Sequence, residues 1–218
     1  MLTSLKEISN HPVVVLLYKS GASGEFLSHA LTQSIYQFTK TPTHWENTHR
    51  CIVQDYFGRS LLVGPLTEEV LLPRINLYFE MARPVGSRHM GISHFQPHQI
   101  EFIKNYGATW PIIEITTLHP VSEQFQQLAR HNKIPKKYQP TSYDKNNKIN
   151  ATAEDIGFVP NRHLTLEWAE LLQTDTRNAY SKILKFLNCT GNVDQFVDMV
   201  SDYVNRNQSL LQEIVHAD

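Results

Sequence analysis

The stretch that decides the fold is residues 12–31, PVVVLLYKSGASGEFLSHAL. It begins with a continuous apolar run, residues 13–17, which is short enough for one strand and apolar on both faces. Such runs are typical of central strands in parallel sheets. A loop of small residues follows, and apolar side chains then recur at helical spacing: Leu27, Ala30, Leu31, Ile35 and Phe38. The stretch therefore predicts a strand, a glycine-containing loop and a helix.

The loop between this strand and helix has the features of an anion site. Gly21 and Gly24 can adopt positive φ and let a ligand approach the backbone. The free N–H groups and the dipole of the first helical turn would face the loop, which suits a phosphate. Lys19 and Ser20 supply a cation and a hydroxyl. The alternative is a tight turn without a ligand. The nucleotide-kinase pattern G-x-x-x-x-G-K-[ST] is absent, because no lysine follows Gly24.

Strand and helix patterns alternate along the rest of the chain, which predicts an α/β fold with parallel strands and right-handed crossovers. We expect the strand at residues 88–93 to lie beside the first strand, so that both carboxyl ends open on one crevice. The other predicted strands are residues 61–63, 110–118 and 162–166, and residues 39–50 are predicted as a polar loop. Helices are predicted after Thr67 (kinked or broken at Pro73), from Pro97, over 121–128, after a cap at Thr174 or Asp175, and over 193–204.

The composition favours a single soluble domain, residues 1–218. The apolar fraction of 41% can supply a sizeable core, and the formal net charge of −1 gives no overall basic field for nucleic acid or an anionic membrane. Two widely separated cysteines indicate neither a disulfide framework nor a metal site. With no signal peptide and no apolar run of bilayer length, we expect a cytoplasmic protein.

Residues 133–161 differ in kind from the rest of the chain. Lysines mix here with prolines and asparagines, and apolar periodicity is weak. We interpret the segment as an insertion or mobile loop, in which a solvated basic loop is favoured over a lid.

The Lys19-Ser20-Gly21 order resembles the Lys-Ser-Gly signature of cytosolic-type sulfotransferases. In that family the loop holds the 5′-phosphosulfate of 3′-phosphoadenosine 5′-phosphosulfate (PAPS). Three further segments follow in the family's order and carry the same resemblance. Residues 92–97, Ile-Ser-His-Phe-Gln-Pro, match the family's Lys-Thr-His and the Pro that follows it, and residues 118–120, Leu-His-Pro, match its Arg-Asn-Pro. Residues 166–171 and 183–188 match the family's Tyr-Glu-Asp-Leu stretch and the helix after it that ends in Phe-Leu-Gly.

The resemblance implies a three-layer α/β/α, P-loop NTPase-like fold around a central, mostly parallel sheet. It implies that Lys19 and His94 are catalytic, with His94 as general base. The cofactor-binding residues that it implies are Lys19, Ser20, Gly21, Ala22, Ser23, Gly24 and Glu25. Glu25 stands at the start of the predicted helix. Its carboxylate suits the helix dipole but would also repel an anion.

The chain departs from the family where the 3′-phosphate is bound. Leu118 and Gln126 stand at the positions of the family's Arg and Ser, and Arg130 is the candidate substitute. Ile92 replaces the family's Lys before the general base. The C-terminal Gly-x-x-Gly-x-Trp-Lys loop has no counterpart.

The function predicted from the resemblance is sulfuryl transfer from PAPS to a hydroxyl or amine of a small-molecule or carbohydrate acceptor. One alternative is a phosphotransferase-like protein that uses another nucleotide. It would need a carboxylate for Mg²⁺ at a strand end, and Glu114 is the only acidic residue in a predicted strand. The other alternative is a non-catalytic relative kept as a binding module, which the missing 3′-phosphate ligands would permit.

Overall fold

Strands and helices alternate along the described part of the chain in a computed structural model. The structure describes residues 2–18, 24–38, 43–47, 50–53, 67–81, 88–93, 97–117, 124, 162–172 and 175–216. After a 3₁₀ helix, Leu5–Asn10, the elements are β1 (Val13–Tyr18), α1 (Gly24–Ser34), β2 (Thr43–Asn47), β3 (Arg50–Val53), α2 (Glu68–Met81), β4 (His89–Ser93), α3 (Pro97–Tyr106), β5 (Ile112–Ile115), β6 (His163–Leu166), α4 (Trp168–Leu172), α5 (Thr176–Leu187) and α6 (Val193–Val215).

Four of these strands form one parallel sheet in the order β4-β1-β5-β6. β1 is an internal strand of this sheet, and all six of its side chains are buried. Its register with β4 pairs Val13 with His89 and Leu17 with Ser93. The predictions that the first apolar run is internal, and that residues 88–93 lie beside it, are both confirmed.

Helices cover both faces of the sheet. Alternate side chains of β1 point to opposite faces and lie in two different cores. Val14, Leu16 and Tyr18 belong to the core shared with α1, α4, α5 and α6. Val13, Val15 and Leu17 belong to the core shared with the 3₁₀ helix, α2 and α3. This explains why the strand is apolar without alternation.

α6 runs antiparallel to α1 and packs against it. The backbone N–H of Asn192, just before α6, donates to the carbonyl of Ser34 at the end of α1, at 2.8 Å. At the other end, the ring of Tyr203 stacks on Phe26 with centroids 3.9 Å apart. α5 is followed by Asn188, whose φ of 50° gives the left-handed cap that turns the chain toward α6.

Several local predictions need correction. Residues 43–47, part of the predicted polar loop 39–50, form an antiparallel strand pair with residues 50–53, since their Thr, Trp, Ile and Val favour strands. α2 continues through Pro73, so the predicted break does not occur, whereas the predicted kink stays a prediction. Pro73 is exposed, so water can bond the carbonyl that proline leaves without a donor. Asp175 is the N-cap of α5, but its side chain makes no capping hydrogen bond. α6 extends to Val215, beyond the predicted end. The predictions for residues 61–63, 121–128 and 133–161 fall outside the described residues, apart from residue 124.

Candidate functional site

The candidate site is the edge of the sheet where β1 and β4 end. These strands are parallel neighbours, and the last register pair is Leu17 with Ser93. Adjacent strands lie about 4.8 Å apart, so the chain leaves the sheet at two neighbouring points. The sequence-predicted residues Lys19 and His94 come directly after these two ends, following Tyr18 and Ser93.

The helices that follow these two strands pack on opposite faces of the sheet. α1, which follows β1, contributes Phe26, Leu27 and Leu31 to one core. α3, which follows β4, contributes Ile100 and Ile103 to the other. Neighbouring parallel strands whose connections leave on opposite faces create a crevice outside their carboxyl ends, and ligands of open α/β sheets bind there.

α1 begins at Gly24, and Gly24 is buried directly beneath the ring of Tyr18. A Cβ at this position would overlap the Tyr18 ring. The backbone of Gly24 does not adopt positive φ, so that expectation is wrong for this residue. Glycine is needed here because the aromatic side chain that ends β1 lies against the first residue of α1.

The N-termini of α4, α5 and α6 each have one of the chain's own polar groups beside them. The hydroxyl of Thr117 accepts from the backbone N–H of Trp168, the first residue of α4, at 2.8 Å. The side chain of Asn192 accepts from the N–H of Gln195 at the start of α6, at 3.0 Å. A carboxylate, Asp175, stands before α5. These three helix ends are therefore poor sites for an anion.

Most of the sequence-predicted site residues lie outside the described residues: Lys19, Ser20, Gly21, Ala22, Ser23, His94 and Arg130. Gly24 and Glu25 are the first two residues of α1. The structure thus brings together the strand ends and the helix start that border the predicted site.

Sequence reasoning missed the polar groups buried along α1. Ser28 is fully buried, and within the described residues its hydroxyl has no hydrogen-bond partner. His29 is 9% exposed, and burial lowers its pKa. A sequence signal existed, since residues 26–39 contain no charged side chain. A helix without a charged face is typically buried on most sides.

The carboxylate of Glu114 pairs with a residue of the neighbouring strand, β6. Its Oε2 lies 2.8 Å from Nε2 of His163, the first residue of β6, and both side chains are largely buried. The carboxylate therefore lies inside the β5–β6 part of the sheet and pairs with an imidazole there. In the described ranges, no three His, Cys, Asp or Glu side chains come close enough to hold a metal ion.

No protein-family model matches this chain, and no curated protein sequence is significantly similar to it. Within the described ranges, no helix has both the length and the apolar character needed to cross a membrane.

Proposed function

We propose that the crevice outside β1 and β4 binds PAPS, and that the protein transfers its sulfuryl group to a hydroxyl or amine of a small-molecule or carbohydrate acceptor. The proposal combines the sulfotransferase-like motifs around Lys19 and His94 with the geometry of the strands that precede them.

The observation that carries the proposal is the parallel pairing of β1 with β4 up to Leu17 and Ser93. Lys19 and His94 are far apart in sequence, yet each follows the end of one of these neighbouring strands. Because α1 and α3 leave on opposite faces, a ligand between the strand ends would be within reach of both side chains. A base and a cation on opposite sides of a reacting group are what an in-line transfer needs.

The chemistry is a single displacement. The acceptor oxygen or nitrogen forms a bond to sulfur as the bond between sulfur and the bridging phosphate oxygen breaks. His94 takes the acceptor's proton as general base, for which a neutral imidazole is suited near pH 7. Lys19 and the backbone N–H groups before α1 stabilise the charge that develops on the bridging oxygen. The products are a sulfated acceptor and 3′-phosphoadenosine 5′-phosphate.

Binding of the 3′-phosphate is the weak part of this site. Leu118 and Gln126 provide no cation or hydroxyl at the positions that match the family's ligands. Arg130 or the lysines of residues 133–148 would supply the missing charge. We therefore expect weak cofactor affinity, with a smaller preference for the 3′-phosphorylated nucleotide than a complete set of ligands would give.

A phosphotransferase is the less favoured candidate. Its Mg²⁺ would need a free carboxylate at a strand end, whereas Glu114 pairs with His163. A non-catalytic binding module would share the anion site and would differ only in lacking turnover.

The test is calorimetric titration of the protein with 3′-phosphoadenosine 5′-phosphate and, separately, with ATP. We expect 3′-phosphoadenosine 5′-phosphate to bind. Lys19→Ala should weaken that binding by about 1.5–3 kcal/mol, the range for a hydrogen bond to a charged group. Lys104→Ala is the matched control, because Lys104 is exposed in the last turn of α3. Equal affinity in the Lys19→Ala and Lys104→Ala proteins would reject the site.

A further inference from the structure

The buried face of α6 contains one polar residue. Along this face the positions that turn inward are Phe196, Val200, Tyr203, Asn207 and Leu211. Successive positions are three or four residues apart, as expected for one side of a helix. Asn207 is only 1% exposed, which is uncommon for an asparagine amid apolar neighbours.

Helix geometry places Asn207 at about the level of the N-terminus of α1. The helices are antiparallel, and Tyr203 stacks on Phe26, the third residue of α1. A helix rises about 1.5 Å per residue, so Asn207 is about 6 Å past Tyr203, whereas Gly24 is only about 3 Å past Phe26. α6 therefore extends beyond the first residue of α1 and carries Asn207 to the level of the crevice.

The side chain of Asn207 uses one of its two polar groups. Its Nδ2 donates to the backbone carbonyl of Tyr203 at 2.7 Å. This bond fixes the orientation of the amide, because a flip would set Oδ1 against the same carbonyl oxygen. Among the residues that the structure describes, no group bonds Oδ1. A buried acceptor without a donor is unfavourable and rare in folded proteins, so it calls for an explanation, and a bound ligand is one.

We propose that Oδ1 of Asn207 accepts a hydrogen bond from an N–H or O–H group of a nucleoside whose phosphate is bound at the N-terminus of α1. Asn207 is then a specificity residue, because it favours an anion joined to a sugar and base over an inorganic anion that has no donor. The inference rests on the proposed anion site and adds a residue that distinguishes a nucleotide from an inorganic anion there.

The experiment compares two probes, 3′-phosphoadenosine 5′-phosphate and inorganic sulfate, on the same full-length variants. Sulfate has no hydrogen-bond donor, so it reports the anion site alone. The variant is Asn207→Leu, with Asn207→Ala as a second variant in case the first does not fold. Asn205→Ala is the matched control, since Asn205 is an exposed asparagine on the same helix. Affinities are taken from the dependence of Tm on ligand concentration.

We expect Asn207→Leu to weaken the nucleotide roughly 3- to 10-fold, the size of one neutral hydrogen bond, with sulfate affinity and Asn205→Ala unchanged. The Tm without ligand should stay the same or rise, because an unpaired buried acceptor has been removed. A lower Tm with equal loss for both probes would mean that Asn207 is only structural, which overturns the inference. Nucleotide binding that depends on Lys19 but not on Asn207 would overturn it while leaving the proposed function intact. Nucleotide binding that depends on neither would reject both.

Discussion

The two ends of the sheet's carboxyl edge differ in how the chain satisfies its polar groups. At the β5–β6 end, the N–H of Thr116 bonds the carbonyl of Leu166, and Thr117 caps α4. Glu114 and His163 pair within the same part of the sheet. At the β1–β4 end, the following helices leave on opposite faces, and α1 starts at a glycine beneath an aromatic ring. One end is closed by the protein's own contacts. The other, called the open end below, is the end at which we propose that a ligand binds.

The largest expected effect is on turnover, which should depend on a residue at the β1–β4 end and not on one at the β5–β6 end. His94→Ala should lower turnover at least about 100-fold, the usual loss on removing a general base. His163→Gln, at the closed end, should lower stability and leave turnover per folded molecule within a few-fold. The measurement is release of 3′-phosphoadenosine 5′-phosphate from PAPS with a panel of phenols, amines and sugars as acceptors. Equal activity of wild type and His94→Ala would show that the open end is not catalytic through this residue.

The second prediction concerns the contact that shapes the open end. Gly24→Ala should lower the free energy of unfolding by about 1–3 kcal/mol, because the added methyl group displaces the buried ring of Tyr18. In a Tyr18→Leu background the same substitution should cost much less, since alanine is the better helix former by about 1 kcal/mol. Urea unfolding of the four proteins gives the coupling energy. Additive costs would mean that the ring does not restrict this position.

The third prediction uses pH. Burial lowers the pKa of His29 in the folded protein, so the unfolded state binds a proton more readily. The stabilisation from keeping His29 neutral is present above its unfolded pKa, about 6.5, and is lost as pH falls below that value. The limit is about 1.4 kcal/mol per pH unit. His29→Asn should therefore lose less stability than wild type between pH 7 and pH 5. His216→Asn, at an exposed histidine, is the control, and parallel pH profiles for wild type and His29→Asn would contradict the prediction.

The smallest effect tests the closed end. Thr117→Val should cost about 1 kcal/mol, because the first N–H of α4 loses its acceptor. Thr165→Val, at an exposed position of β6, should change stability by less than about 0.5 kcal/mol. Thermal unfolding of wild type and the two variants measures both changes in stability. A Thr117→Val protein as stable as Thr165→Val would show that this hydrogen bond adds nothing to closure.

Sequence reasoning succeeded where one residue pattern had one physical explanation. The continuous apolar run of β1 has no polar face, so only an internal strand accounts for it. The inward side chains of α1 were predicted correctly for Leu27, Ala30 and Leu31, all of them buried, because helical periodicity alone determines them.

The features that the sequence did not reveal depend on contacts between distant segments. The pairing of Glu114 with His163 follows from the register of β5 and β6, which no local pattern specifies. The reason for glycine at position 24 is the ring of Tyr18, and spacing alone could not distinguish this from a need for positive φ. The burial of Asn207 requires the direction of α6 relative to α1, which only the fold provides.

The place of β1 in the chain has a consequence for how the protein is made. Its sheet partners come late, since Val15 pairs with Ile112, roughly 100 residues further on, which takes about 5–20 s of synthesis. Until β4 is made, the strand has no partner for its backbone, and much of the core on each face is still missing. A β-branched apolar segment in that state is prone to association with other chains. We expect nascent chains to be bound by chaperones at residues 13–18 until β4 and β5 have emerged.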